Sequence, residues 1–94
     1  MFLVLLKFSA NRGQAGALMD GHRQWLQRGF DDGLFLLSGS LDAQAGGAVL
    51  AHGVSLEQLQ RRVAEDPFVA EDVVQAEIVG ITPAKADARL AFIS

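Results

Sequence analysis

The chain has 94 residues, which suffices for one domain and leaves no room for a second hydrophobic core. Its net charge is −3 and its eight Lys and Arg residues are scattered, so the composition does not favour a nucleic-acid interface. There is no cysteine, which excludes disulfides, thiolate catalysis and cysteine-based metal sites.

Neither a metal site nor membrane contact is expected from the sequence. His22 and His52 lie in different predicted elements, without the HxH or HxxxH spacing of paired ligands. The apolar opening run ends at Lys7 and lacks the basic start and small-residue cleavage site of a signal peptide. No apolar run approaches the length of a membrane span. We therefore expect a cytoplasmic protein.

The patterns of apolar and turn residues predict six main elements. Ser55, with Gln58 three residues later, has the spacing of a capping box and opens the second helix. Gly33 supplies the stop of the first helix, and Gly46-Gly47 is interpreted as the turn of a hairpin. The predicted elements are a strand over residues 2–8, a helix over 14–31, strands over 34–41 and 48–52, a helix over 55–66 and a strand over 73–81.

This order, β-α-β-β-α-β, predicts a ferredoxin-like α+β fold with two helices on one face of an antiparallel sheet. We expect a single domain over residues 1–81 and a C-terminal tail over 82–94. The first strand is apolar on both faces, with Val4 and Leu6 on one side and Leu3 and Leu5 on the other. Two helices cover only one face, so the pattern predicts a homodimer formed through the second face of the sheet.

His22 is an ionisable residue on the apolar side of the first predicted helix. At 100° per residue it lies within 60° of Leu18 and Trp25, whereas Arg23 and Gln27 lie on the polar side. A histidine in that position is either a core residue with a hydrogen-bond partner or part of a site.

Asp66, directly before Pro67, also has two interpretations. Asp is a good helix N-cap and Pro a good first helical residue, so Asp66 can simply cap a short turn over residues 67–71. Alternatively it pairs with His22, since a carboxylate fixes the tautomer of a neighbouring imidazole and strengthens it as a base. Such a dyad would act as general acid or base on a small molecule.

Three further residues are candidates for contact with a substrate, each with a plainer alternative. Ser38 can donate to a ligand or be satisfied at the end of its strand. Arg12, in the loop after the first strand, can meet an anionic substrate or be solvated. Trp25 shares the face of His22 and can line a cavity, although large aromatics at helical spacing are usually core residues.

Taken together, the order and spacing of these features over residues 1–80 resemble those of the YciI-like (YCII-related) proteins. The features are the opening strand, His22 followed by Trp25-Leu26, the segment over residues 33–39, Gly46-Gly47, and Asp66-Pro67-Phe68-Val69. The resemblance implies a fold of the dimeric α+β barrel type, and it places the family's active-site pair on His22 and Asp66. Ser40 stands where the family usually has proline, so the rim of the pocket is expected to differ.

For function, the resemblance implies acid/base chemistry without a cofactor on a small metabolite: elimination, isomerisation or hydrolysis. His22 would move the proton and Asp66 would orient it. The alternatives are a metabolite-binding or accessory module that turns nothing over, and a purely structural dimer. All three interpretations predict the same fold.

Overall fold

The computed structural model describes residues 1–93. Short 3₁₀ turns cover Arg12–Gln14, Asp42–Gln44 and Ala88–Ile93. The helices and strands of the described part, in chain order, are β1 (Phe2–Phe8), α1 (Ala15–Asp31), β2 (Phe35–Ser40), β3 (Gly46–Ala51), α2 (Leu56–Ala64), α3 (Pro67–Ala70) and β4 (Val74–Gly80).

The four strands form one sheet in the order β2-β3-β1-β4, with each neighbouring pair antiparallel. Helix α1 joins β1 to β2, and β3 lies between these two strands in the sheet, as in a split βαβ unit. The predicted ferredoxin-like α+β fold is therefore confirmed, together with its antiparallel sheet.

The core lies between the sheet and the helices. Successive side chains of a strand alternate between its faces, and in β1 the buried residues are Val4 and Leu6. Trp25 of α1 is fully buried, and its indole Nε1 donates to the Arg62 carbonyl oxygen at 2.8 Å, which joins α1 to α2. The remaining buried hydrophobic residues are Phe35, Val49, Ala51, Leu59, Val63, Phe68, Val73 and Val74.

The opposite face of the sheet has no helix over it in the single chain, and it carries both apolar residues and the polar or charged residues Lys7, Gln75 and Glu77. The strand register places Leu37 beside Leu50, Leu50 beside Leu3, and Leu3 beside Val79, so one row crosses all four strands. The adjacent row, with Val4 and its neighbours, faces the helices. Leu37 is 63% exposed and Val79 38%. We refer to Leu37, Leu50, Leu3 and Val79 as the apolar row.

The predicted helix ends agree with the structure. The Ser55 hydroxyl accepts from the Gln58 backbone N–H at 3.1 Å, and the Gln58 side chain accepts from the Ser55 N–H at 3.2 Å, which completes the capping box. Gly33 adopts φ 74° just after α1, and its N–H donates to the Phe30 carbonyl at 3.0 Å.

The predicted hairpin turn is wrong by a few residues. Gly46-Gly47 belongs to β3, and the connection is made by residues 41–45, where Ala43 and Gln44 adopt φ values of 59° and 55°. Gly46 is needed inside the strand because its φ is 136° and a Cβ there would collide with the Leu6 carbonyl oxygen. Glycine therefore marks a close approach of two strands here, and not the turn.

No helix in the described part of the chain is long and apolar enough to cross a membrane. Directly after β4, the Ile81 N–H donates to the Met1 carbonyl at 2.8 Å. The residues over 82–93 are mostly exposed, and the Phe92 ring meets the His52 ring at a centroid distance of 5.3 Å.

Candidate functional site

The structure brings His22 and Asp66 together although 44 positions separate them in the chain. His22 lies in the middle of α1, and Asp66 lies at the junction between α2 and α3, where α3 packs against α1. His22 Nδ1 is 2.9 Å from Asp66 Oδ1. The Asp66 side chain is fully buried, and that of His22 is 14% exposed. The pair thus consists of an interior carboxylate and an imidazole that reaches the surface.

Asp66 is also the N-cap of α3, with Pro67 as the first helical residue. Its Oδ1 accepts from the Phe68 backbone N–H at 3.0 Å, in addition to its contact with His22. The same oxygen atom therefore both caps α3 and contacts His22. The cap fixes the carboxylate at the first turn of α3, and this position lies within hydrogen-bond reach of α1.

Three neighbours orient the His22 ring: Phe68, Trp25 and Asp66. The ring stacks on Phe68 with a centroid distance of 4.1 Å and an interplanar angle of 4°. An ionised carboxylate can only accept, so Asp66 favours the tautomer with the proton on Nδ1 and the lone pair on Nε2. No hydrogen bond to Nε2 is made by any residue among 1–93. This nitrogen is therefore the one left for a ligand.

A cavity of about 310 Å³ lies beside His22, between α1, α3 and the sheet. Its lining residues include His22, Arg23, Ser38 and Ser40, but no Asp or Glu. The remaining lining is apolar or glycine, formed by Leu6, Phe8, Met19, Leu26, Gly39, Gly46, Gly47, Ala48, Val49, Phe68 and Val74.

A second depression, between α2 and β4, lacks any titratable side chain and offers no acid/base chemistry. Among residues 1–93, no group of three or more His, Asp or Glu side chains is placed to hold a metal ion. Of these two cavities in the described part of the chain, the one beside His22 is thus the one with titratable lining residues.

The other candidates from the sequence have different outcomes. Ser38 lines the cavity because it pairs with Val49 on the helix side of the sheet. Trp25 is not among the lining residues: it is fully buried in the core, where it makes an edge contact with Phe35 and stacks on the His22 ring at a centroid distance of 5.9 Å. Arg12 is also outside the lining.

The Arg12 side chain is occupied at the surface. Its guanidinium lies 4.2 Å from the centroid of the Phe8 ring and donates to the Gln44 carbonyl at 3.3 Å. Arg12 therefore packs behind a lining residue and does not enter the lining itself.

Sequence reasoning missed Arg23, which it assigned to the polar face of α1. Arg23 directly follows His22 and lies 100° further round the helix, close enough for a long side chain to reach the rim. Ser40, two residues after Ser38 in β2, also lines the cavity.

No protein-family model matches the chain, and no curated protein matches it. Among solved structures, it is similar to 5-chloro-2-hydroxyhydroquinone dehydrochlorinase (TftG) from Burkholderia phenoliruptrix AC1100, in its complex with 2,5-dihydroxybenzoquinone. The TM-score is 0.69 at 11% sequence identity, and the match covers 87% of this chain and 94% of the other. The TM-score shows that the two chains share an α+β fold.

Proposed function

We propose that the chain is a small-molecule enzyme that uses His22 and Asp66 for acid/base chemistry without a cofactor. One observation carries the proposal: a fully buried carboxylate is hydrogen-bonded to an imidazole, and that imidazole lines a mostly apolar cavity. A titratable group held by a buried partner in a cleft is a typical arrangement for proton transfer.

In this proposal each residue has a separate task. Asp66 holds the proton on His22 Nδ1, so that Nε2 accepts a proton from a C–H or O–H group of the substrate. Phe68 fixes the ring plane by stacking. The imidazolium then returns the proton, either to the leaving group in an elimination or to another carbon in an isomerisation. The negative charge of Asp66 stabilises the imidazolium between the two steps.

The dimensions of the cavity favour a small substrate. About 310 Å³ is at the lower end of the range for ligand pockets, roughly 300 to 1,000 Å³. The walls include Phe8 and Phe68, which suit the faces of a flat ring. The dehydrochlorinase of the same fold, which is named for a chlorinated hydroxyhydroquinone, supports a ring compound as the first choice for screening.

We further propose that the chain belongs to the YciI-like proteins and acts as a homodimer. The apolar row crosses all four strands, and Leu37 and Val79 at its two ends are exposed in the single chain. A second copy related by a two-fold axis would bury the same row of both chains, and apolar burial stabilises by roughly 25 cal/mol per Å².

A turnover screen tests the enzymatic proposal. Wild type, His22→Asn and His52→Asn are incubated with a panel of phenols, hydroquinones and quinones that includes 5-chloro-2-hydroxyhydroquinone, and depletion is followed by mass spectrometry. His52 is the control because it is absent from the cavity lining. We expect wild type and His52→Asn to consume the same compound and His22→Asn to lose that activity. Equal turnover by all three would exclude His22 as the base.

A further inference from the structure

Arg23 is a cation at the cavity with no partner of its own. Its side chain lines the cavity directly beside His22 in the sequence, and the residue is exposed. Within residues 1–93 it makes neither a hydrogen bond through its side chain nor an ion pair with any carboxylate closer than 4 Å. Asp20 lies one turn earlier on α1, at a spacing that permits a pair, yet no such pair forms.

The lining therefore includes a basic residue that no acidic lining residue balances. No Asp or Glu lines the cavity, and the carboxylate of Asp66 lies behind His22 with its Oδ1 already bonded twice. The whole chain nevertheless carries a net charge of −3. A lining arginine without an ion-pair partner among residues 1–93, at a mostly apolar cavity, thus stands out against an acidic protein.

We propose that Arg23 binds an anionic group of the substrate, so that the site takes small ring compounds bearing a carboxylate or a similarly delocalised anion. The guanidinium offers two parallel N–H donors that match a carboxylate, and the ring of the ligand would lie against the apolar lining. Ser38 and Ser40 add hydroxyl donors on the opposite side, at β2. The inference rests on the cavity being the ligand site, and it does not require that the ligand be turned over.

We expect Arg23 to position the ligand as well as to increase its affinity. His22 and Arg23 are successive residues of α1, so an anion held by Arg23 keeps the rest of a small molecule near Nε2 of His22. Holding the acid group at the rim would direct the apolar body inward, towards the imidazole.

Ligand titrations followed by NMR chemical shifts test this proposal. The probes are benzoate and benzamide, which have nearly the same shape and differ in charge. The proteins are wild type, Arg23→Gln and Arg28→Gln, the last as a matched control because Arg28 lies on α1 but is absent from the cavity lining. The reporters are the backbone amides of Ser38, Gly39 and Gly47, which lie in the lining.

We expect benzoate to bind wild type and Arg28→Gln about fivefold to tenfold more tightly than benzamide, and Arg23→Gln to lose this preference. Equal affinities for the two probes in wild type, an unchanged preference in Arg23→Gln, or no binding of either probe would overturn the proposal. If the probes bind with the expected preference but His22 supports no turnover, only the enzymatic proposal is contradicted. If His22 supports turnover but benzoate is not preferred over benzamide, only the role of Arg23 is contradicted.

Discussion

At the scale of the residue, Asp66 has a structural task as a helix cap and, in the proposed function, a chemical task on the same oxygen. Its Oδ1 accepts from the Phe68 N–H and lies 2.9 Å from His22 Nδ1. Its Oδ2 is buried and makes no hydrogen bond within the described chain.

Two substitutions of Asp66 separate these tasks. Asp66→Ala removes the cap and leaves the Phe68 N–H and the His22 ring without their acceptor, so we expect a loss of about 2 to 3 kcal/mol in the free energy of unfolding. Asp66→Asn keeps an oxygen in place, and we expect a loss below about 1 kcal/mol. Urea denaturation measures both. Equal losses for the two variants would contradict the capping role of the oxygen.

At the scale of the element, α1 is shaped by a glycine that packs against the sheet. Gly29 is buried, and a Cβ built there would collide with the ring of Phe35. Gly16, in the same helix, has open space around it. The two glycines therefore have opposite consequences for helix stability.

We expect Gly29→Ala to destabilise the protein by about 1 to 3 kcal/mol, because overpacking of the core outweighs the better helix propensity of alanine. Gly16→Ala, the matched control, should be neutral or stabilising by up to about 1 kcal/mol. The measurement is the urea midpoint of each variant. A Gly29→Ala protein more stable than wild type would show that α1 does not rest on Phe35 as described.

The elements were predictable from the sequence where a local rule decides them. The capping box of Ser55, the stop at Gly33 and the strand of residues 2–8 follow from side-chain chemistry within a few positions, and all are confirmed. The turn before β3 was not predictable, because its conformation uses positive φ at Ala43 and Gln44, while the glycine signal comes from the contact of Gly46 with β1.

The candidate site was likewise predictable only in those features that a local sequence pattern decides. The periodicity placed His22 on the apolar face, and the proline step indicated the cap at Asp66, but their 2.9 Å contact depends on the packing of α3 against α1. Trp25 has the core position that was one of its two predicted alternatives, whereas Arg23, assigned to the polar face, is a lining residue. The angular position on a helix gives the direction of the Cβ, whereas the reach of a long side chain and the depth of the core decide which residue lines a cavity.

At the scale of the whole molecule, the open question is how the second sheet face is covered. We expect wild type to elute as a dimer, at about twice its mass of 10.1 kDa, and Leu37→Asp to elute as a monomer, because a charge in the apolar row opposes burial. Light scattering after size exclusion measures both. Leu56→Asp, an exposed leucine of α2 outside that face, is the control and should remain dimeric. A monomeric wild type would contradict the sheet-to-sheet dimer.

The proposed function itself depends on His22 transferring a proton at the cavity. The most direct test is kcat and KM for the compound that wild type consumes, measured for wild type and His22→Asn, with circular dichroism to confirm that the variant is folded. The dyad predicts a fall in kcat of about 100-fold or more, with KM changed little, since general acid/base catalysis contributes about 10² to 10⁴. A folded His22→Asn protein with kcat within about twofold of wild type would contradict the dyad.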